Sequence, residues 1–213
     1  MPGPPSLGPS RITLDVKGDV PDWKEAFKQF LLTVKDSDGY FRYRWGPWEE
    51  DRGKLEIMAS WAPLEKRQAF GKSEHHQRAI DALKPVLKSM PSKCPRQDLD
   101  VRTFVPPPPQ LLESPVSEVI TIRSCTGDPE AMAATLKKAE ANKGCIASHA
   151  GLASVDDPVY GTVWLGFIGW ENLDASKSAD TAAHTPTGVG EVERHHINFN
   201  FPIKGFSVTN PGR

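Results

Sequence analysis

The strongest pattern along the chain is an apolar stripe with helical spacing near the N-terminus. Its members stand at i, i+3, i+4, i+7, i+8 and i+11, and they are Trp23, Ala26, Phe27, Phe30, Leu31 and Val34. That spacing is typical of one face of an amphipathic helix. A weaker stripe of smaller residues follows later, comprising Met132, Ala133, Leu136 and Ala139. Both predicted helices end at a glycine, Gly39 and Gly144, the residue type that commonly closes a helix.

Apolar positions alternate with a period of two in the segments KLEIMASW and GTVWLGFIGW, each of which ends in tryptophan. Such alternation predicts β-strands. One face of the first strand carries Leu55, Ile57, Ala59 and Trp61, and the matching positions of the second are Trp164, Gly166, Ile168 and Trp170. A glycine inside a strand indicates close packing against a helix or an aromatic ring.

The two halves of the chain repeat one order of elements. Each half begins with a β-like run, at 12–14 in the first and 120–122 in the second. Gly39 of the first half then matches Gly144 of the second, so that matching positions after these glycines lie 105 residues apart. Each closes with a predicted strand, at 99–105 and 195–201, so each half reads β-α-β-β-α-β, the ferredoxin-like order. Because the bare face of such a sheet must be covered, we expect an α+β fold of two tandem repeats. Their antiparallel sheets are expected to pack as an intramolecular α/β barrel around a cavity.

Proline and glycine mark the expected boundaries. Residues 1–10 are mostly Pro, Gly and Ser, which predicts a flexible tail, and 206–213 form a second tail. Between them we expect a first repeat at 11–105, a linker at 106–115 and a second repeat at 116–205. The linker opens with four consecutive prolines, which predict a stiff polyproline II spacer.

Composition narrows the class of protein. The 213 residues include 26 basic and 27 acidic side chains, a balance that argues against nucleic-acid binding through bulk charge. No apolar run approaches the roughly 18–20 residues of a membrane span, and the N-terminus does not resemble a signal peptide. Three cysteines, Cys94, Cys125 and Cys145, have no CxxC spacing and are interpreted as reduced thiols. We therefore expect a cytoplasmic protein with neither membrane nor nucleic-acid partners.

The segment Tyr40–Ala79 reads YFRYRWGPWEEDRGKLEIMASWAPLEKRQAFGKSEHHQRA. It resembles the dimeric α/β-barrel superfamily, in particular its antibiotic-biosynthesis-monooxygenase-like branch, with a WG turn, an acidic connection and an apolar strand ending in Trp. The second half, GTVWLGFIGWENLDASKSADTAAH, is similar but has Ala150 in place of the WG tryptophan. The resemblance spans about 11–201 and implies a tandem form of that fold.

Members of this superfamily include cofactor-independent oxygenases of phenolic polyketides, polyketide cyclases, heme-binding and heme-degrading proteins, and stress-response barrels. A fold alone does not choose among these activities. The resemblance implies a cavity shared between the two sheets. Our hypothesis for its function is a secondary-metabolism-type enzyme that oxygenates or cyclises an aromatic or polyketide-like small molecule in that cavity without a cofactor. We expect it to act as a monomer or a homodimer.

Positions at which the halves differ are the candidates for chemistry. His149, which corresponds to Arg44, and His196 are the predicted general bases, because the imidazole pKa suits proton abstraction near neutral pH. Arg44 is predicted to stabilise the resulting phenolate or enolate. The predicted substrate-binding side chains are Trp45, Trp61, Trp164, Trp170 and Asn198.

Each candidate has a structural alternative. The paired tryptophans Trp61 and Trp170 suit core plugs between sheet and helix, and Arg44 and His149 suit a face turned towards solvent or helices. His75 could ligate heme iron, as a helix histidine does in heme-binding relatives. A non-catalytic barrel for heme or another planar hydrophobe therefore stays open as a function, as does a structural module. No metal site is predicted, because the adjacent histidine pairs lack chelating geometry.

Overall fold

The computed structural model describes residues 10–61, 64–88, 96–98, 107–153 and 161–204. The chain divides into two compact units. The first unit comprises 1–47, 51–96 and 201–213, and the second comprises 97–200 together with Trp48–Glu50. No helix in the described part of the chain has the length and apolar character needed to cross a membrane.

The first unit follows the predicted order of elements. They are β1 (Ser10–Asp15), α1 (Val20–Lys35), β2 (Tyr40–Pro47), β3 (Lys54–Trp61), α2 (Leu64–Phe70), α3 (Glu74–Leu83) and β4 (Arg96–Asp98). The strands form a sheet in the order β2-β3-β1-β4. Helix α1 begins at a capping box, in which the Asp19 side chain accepts from the helix and Asp22 accepts from the Asp19 backbone.

The second unit repeats this architecture after a short helix, α4 (Pro109–Glu113). Its elements are β5 (Val116–Arg123), α5 (Pro129–Lys137), β6 (Cys145–Leu152), β7 (Trp164–Trp170), α6 (Leu173–Ser178), α7 (Thr181–His184) and β8 (Glu191–Ile197). The sheet order β6-β7-β5-β8 is the same as in the first unit. Both β2–β3 and β6–β7 contain a register irregularity one residue after the first strand begins, at Tyr40/Arg42 and Cys145/Ala147.

Each sheet packs one face against its helices. In the first unit that core contains the α1 residues Trp23, Phe27, Phe30, Leu31 and Val34. In the second it contains Met132 and Leu136 of α5. Gly166 on β7 allows close packing, because a Cβ there would lie 2.8 Å from the Trp164 ring. The α+β fold class and its two successive ferredoxin-like repeats are confirmed. The packing of the two sheets around one cavity stays a prediction.

Several predicted boundaries are wrong. Helix α1 ends at Lys35 and α5 at Lys137, whereas Gly39 and Gly144 lie at φ +81° and +84° in the turns that precede the next strands. The closing strand of the second unit is Glu191–Ile197 rather than 195–201. The predicted strand at 99–105 lies outside the described residues, and β4 precedes it.

The linker is not a polyproline II spacer from Pro109 onwards. Pro109 starts helix α4, where proline is tolerated because the first helical turn does not need its missing N–H. Leu111 is fully buried, and together with Ser114 it packs against Gly169 of β7. A Cβ at Gly169 would lie 2.3 Å from the Ser114 hydroxyl oxygen, so the strand needs glycine there. This part of the linker is therefore a packed element of the second unit.

Candidate functional site

A network of ionisable and polar side chains lies on the helix side of the second sheet. Glu118 on β5 pairs in register with His196 on β8, so their side chains share one sheet face. Helix α6 contributes Ser176 and helix α7 contributes His184 to the same place. Both helices begin with a side-chain cap, Asn172 for α6 and Asp180 for α7. These caps hold the two short helices in position over the strands.

Glu118 is the centre of this network, and its side chain is fully buried. Its Oε2 accepts hydrogen bonds from the Trp170 indole N–H at 2.9 Å and from the Ser176 hydroxyl at 3.0 Å. Its Oε1 lies 3.4 Å from Nη1 of Arg194 and 3.8 Å from Nε2 of His184. A buried carboxylate needs such partners, because burial without them costs several kcal/mol.

His196 connects the buried carboxylate to a second one. Its Nε2 lies 2.8 Å from the Ser176 hydroxyl oxygen, and its Nδ1 lies 2.5 Å from Oε1 of Glu50. The His196 backbone N–H also donates to Glu50, at 2.9 Å, and the Glu49 N–H donates to the His196 carbonyl at 2.8 Å. The Trp48–Glu50 segment is therefore bound to β8 through both main chain and side chain. The Glu50 side chain stays 44% exposed, which places one end of the network in solvent.

Both carboxyl groups have pKa values below their ordinary value. For Glu118, burial opposes ionisation, but His184, Arg194, Ser176 and His196 together outweigh burial and lower the pKa. For Glu50, burial also opposes ionisation, and the backbone and side-chain hydrogen bonds from His196 outweigh it and lower the pKa. Carboxylates at both ends of the network are thus the favoured state near neutral pH.

The order of groups in this network is carboxylate, imidazole, hydroxyl, carboxylate. An ionised carboxyl group only accepts hydrogen bonds, so the hydrogen between Glu50 and His196 sits on Nδ1. That fixes the imidazole orientation and leaves Nε2 as the nitrogen that exchanges a proton with Ser176. The arrangement can therefore store and move a proton, which a general base requires.

The structure places the other two predicted catalytic residues on the opposite sheet faces. Tyr43 and Trp45 pack into the helix-side core of the first unit, so Arg44 between them points to the other face of its sheet, where it is buried. Ala150 packs against the helix-side core of the second unit, so His149 points away from α5 and is half-buried. Of the predicted bases, His196 is the one that belongs to the acid–base network.

The predicted substrate-binding tryptophans lie in the cores. Trp45 packs edge-on against Phe27 of α1, with ring centroids 5.9 Å apart. Trp164 and Trp170 are fully buried beneath α5, and Trp170 also donates to Glu118. For Trp170 this position matches the core-plug alternative that the sequence left open. The Trp61 side chain lies outside the described residues.

Two further candidates have internal partners. Asn198 follows β8, and its side-chain oxygen accepts from the Asn200 N–H at 2.8 Å. His75 on α3 joins two helices of the first unit, because its Nε2 donates to the Thr33 carbonyl at 2.7 Å. The other ring nitrogen of His75 lies 2.7 Å from the Arg78 guanidinium, so both nitrogens are engaged. The geometry around His75 is thus that of a structural histidine.

Sequence reasoning missed Glu118, Ser176 and Glu50. Glu118 had a usable signal, because it is a charged residue in the middle of the apolar strand VSEVITIR, where a buried charge demands partners. Ser176 and Glu50 had none, because their contacts span 58 residues to Glu118 and 146 residues to His196. Such contacts appear only when the strands and helices have been assembled.

A surface cleft of about 420 Å³ lies between α5 and the segment after α7. Its walls include Ala131, Met132, Thr135, Ala183, Pro186 and Val189. The lining also includes the charged residues Asp128 and Lys138, and the Asp128 side chain is engaged as the N-cap of α5. Within the described residues, no group of three or more His, Cys, Asp or Glu side chains is placed to hold a metal ion.

Comparison with known proteins shows the fold. No protein-family model matches the chain, and no curated protein matches its sequence. Among solved structures, an anthrone oxidase-like protein aligns with a TM-score of 0.59 at 11% identity, covering 89% of this chain and 90% of its own. A proposed monooxygenase from Lactobacillus acidophilus NCFM aligns at 0.55 and 12% identity, covering 90% and 93%. A second one, from Fusobacterium nucleatum, aligns at 0.54 and 12% identity, covering 91% and 92%.

These matches extend over nearly the whole of each chain. The fold is therefore the tandem ferredoxin-like α+β fold found in proteins named as monooxygenases or as oxidase-like. At these levels of identity the likeness defines architecture, whereas activity has to be argued from the side chains.

Proposed function

We propose that this protein is an enzyme that deprotonates an aromatic or polyketide-like small molecule and thereby oxygenates or cyclises it without a bound cofactor. The observation that carries the proposal is the Glu50–His196 pair, in which a carboxylate 2.5 Å from Nδ1 orients a buried imidazole. A fold shared with an anthrone oxidase-like protein supports the substrate class. Anthrones and related phenols are acidic at carbon or oxygen, so proton removal is the step that a histidine can accelerate.

In the proposed reaction, the substrate gives its acidic proton to Nε2 of His196. The substrate hydroxyl replaces the Ser176 hydroxyl at Nε2, and Ser176 keeps its hydrogen bond to Glu118. Glu50 stabilises the imidazolium that forms, as an orienting carboxylate does in other histidine bases. The substrate carbanion then adds to O₂, and the peroxide that forms takes the proton back from His196 and loses water to leave a carbonyl. In the alternative branch the carbanion closes a ring on a carbonyl of the same molecule, and the resulting alkoxide takes that proton. Arg44 and His149 stay separate proposals as anion stabiliser and alternative base.

The test uses 1,8-dihydroxyanthrone as the probe and an oxygen electrode as the readout. We expect the purified protein to consume O₂ faster than the autoxidation of the probe in buffer. His196→Gln is expected to lower that rate by about 10²–10⁴-fold, the usual contribution of a general base. His76→Gln, a histidine on α3 of the first unit, serves as the matched control and should leave the rate unchanged.

His149→Gln separates the two candidate bases. Loss of activity in that variant, with His196→Gln unchanged, would move the base to His149. Unchanged rates in both variants would remove histidine from the chemistry. Cyclisation has a separate readout, because it forms product without O₂ uptake and is followed by mass spectrometry.

A further inference from the structure

We propose that Glu118, Ser176, His196 and Glu50 form a proton relay that links the interior of the second unit to solvent. The four groups are joined by three contacts of 3.0, 2.8 and 2.5 Å, each short enough for a hydrogen bond. Exposure changes along the relay from a fully buried carboxylate at Glu118 to a half-exposed one at Glu50. As a route for a substrate proton, the relay rests on the proposed function, but its existence is independent of any substrate.

The hydroxyl of Ser176 is the group that makes transfer possible. It has one hydrogen but lies within bonding distance of two partners, Oε2 of Glu118 and Nε2 of His196. When the hydroxyl donates to Glu118 and the imidazole is protonated at both nitrogens, Nε2 donates to the serine oxygen. When Glu118 is protonated instead, the carboxyl donates to the serine oxygen and the hydroxyl donates to Nε2.

These two arrangements differ by two concerted hops that balance. The Nε2–H bond breaks as that hydrogen bonds to Oγ of Ser176, and the serine O–H bond breaks as its hydrogen bonds to Oε2 of Glu118. No proton enters or leaves the chain in this step. Exchange with water occurs at the other end, where the Nδ1 hydrogen passes to the carboxylate of Glu50 and from there to solvent.

Two carboxylates face the imidazole of His196, with Glu50 at its Nδ1 and Oε2 of Glu118 at 4.0 Å from its Nε2. Arg194 from β8 and His184 from α7 lie beside the Glu118 carboxylate instead. Both ring nitrogens of His184 and Oε1 of Glu118 lack a hydrogen-bond partner among the described residues. Nε2 of His184 lies 3.8 Å from Oε1 of Glu118, just beyond hydrogen-bond distance.

A different interpretation of the same atoms is a nucleophilic triad of Ser176, His196 and Glu50. One observation opposes it. The Ser176 hydroxyl is also hydrogen bonded to the Glu118 carboxylate, which competes with the imidazole for its proton. A serine nucleophile needs a base that alone takes its proton. The second carboxylate favours relay over covalent catalysis.

The experiment measures proton exchange by NMR on the full chain without substrate. The observed protons are the Nδ1 hydrogen of His196 and the hydroxyl hydrogen of Ser176, and the readout is saturation transfer from water. Glu50→Gln keeps an oxygen that accepts from Nδ1 but cannot take up its proton. We expect this variant to slow exchange of both protons severalfold, whereas Glu49→Gln, its neighbour, should not.

A second measurement follows the Glu118 carboxyl carbon with pH. Ser176→Ala removes a donor to the ionised carboxyl and is expected to raise the pKa of Glu118. Ser178→Ala, on the same helix and exposed, is the matched control. Equal exchange in Glu50→Gln and wild type, or an unchanged Glu118 titration in Ser176→Ala, would overturn the relay. So would covalent labelling of Ser176 by a fluorophosphonate.

These outcomes are separable from the proposed function. Slowed exchange in Glu50→Gln with no oxygen uptake on any probe would leave the relay and remove the oxygenase. Oxygen uptake that depends on His196, with unchanged exchange in Glu50→Gln, would support the oxygenase and remove the relay. Should Ser176→Ala fail to fold, the exchange measurement on Glu50→Gln decides, because Glu50 lies at the half-exposed end of the network.

Discussion

Two glutamates, one in each unit, are fully buried and yet have different kinds of partner. Glu56 on β3 is held by Arg11 of β1 through two parallel hydrogen bonds, both 2.8 Å long. Glu118 on β5 receives its short hydrogen bonds from neutral donors, an indole and a hydroxyl, with Arg194 further away at 3.4 Å. Glu56 lies on the sheet face opposite the helices, because its neighbours Leu55 and Ile57 belong to the helix-side core.

The difference lies in whether the partners can change their own protonation. The Arg11 guanidinium does not deprotonate in proteins, so the charge of Glu56 is compensated permanently. Glu118 has partners that can exchange a hydrogen, because the Ser176 hydroxyl can rotate between Glu118 and His196. Glu56 in the first unit therefore stays ionised, whereas the protonation of Glu118 in the second unit can change. Comparing charge partners, rather than burial, distinguishes a structural carboxylate from a candidate functional one.

The largest expected effect comes from breaking the fixed pair. Arg11→Met removes the two charge-assisted hydrogen bonds that Arg11 donates to the buried Glu56 carboxylate, and we expect the first unit to lose about 3–5 kcal/mol of unfolding free energy. Urea denaturation followed by far-UV circular dichroism measures this loss. The double variant Arg11→Met/Glu56→Met should recover most of it, because apolar residues of similar size replace a buried pair at little cost. A double variant as unstable as the single one would contradict this account.

The same contrast shows what could be predicted from sequence. The helix stripe from Trp23 to Val34 and the alternation in KLEIMASW follow from local periodicity, and both were confirmed. The offset of 105 was confirmed as well, since β2 begins at Tyr40 and β6 at Cys145. These features depend on contacts between neighbours along the chain or across one hairpin.

The site depends on contacts that are distant in sequence. His196 was identified as a candidate because histidine itself indicates acid–base chemistry. Glu50 was not, because an exposed acidic residue in a polar turn has no distinguishing mark until the chain brings it to β8. The tryptophans show the opposite case. Trp164 was predicted to bind substrate because it is a large aromatic residue, and it lies in the core of the second unit. Residue type identifies chemistry in isolation, whereas a network requires the assembled fold.

The second prediction concerns the adjustable carboxylate. Glu118→Gln keeps the shape but replaces an acceptor-only group by one with an N–H₂ that faces the Trp170 indole or Arg194. We expect a loss of about 1–3 kcal/mol in unfolding free energy at pH 7, less than for Arg11→Met. Glu130→Gln, an exposed residue at the start of α5, is the control and should change little. A loss larger than that of Arg11→Met would mean that Glu118 is the more firmly compensated of the two.

The third prediction is a pH dependence. The pKa of Glu118 is lowered in the folded protein, so its contribution to stability is present above the unfolded value of about 4.3 and is lost as pH falls through the folded value. The unfolding free energy of wild type should therefore fall more steeply than that of Glu118→Gln between about pH 5 and pH 3. Urea titrations across that range measure both slopes. Parallel curves would show that folding does not change the pKa of Glu118.

The smallest effect is expected for a second Arg–Glu ion pair, which is only partly buried. Arg123 and Glu193 in the second unit lie 3.1 Å apart with side chains 17% and 32% exposed, against 3% and 0% for Arg11 and Glu56. Glu193→Gln should cost less than about 1 kcal/mol, because water and salt screen a pair that is partly exposed. Added sodium chloride should shrink that loss further while leaving the Arg11→Met loss unchanged. If both losses respond equally to salt, burial is not what separates these two pairs, and the contrast between Glu56 and Glu118 must be attributed to partner chemistry alone.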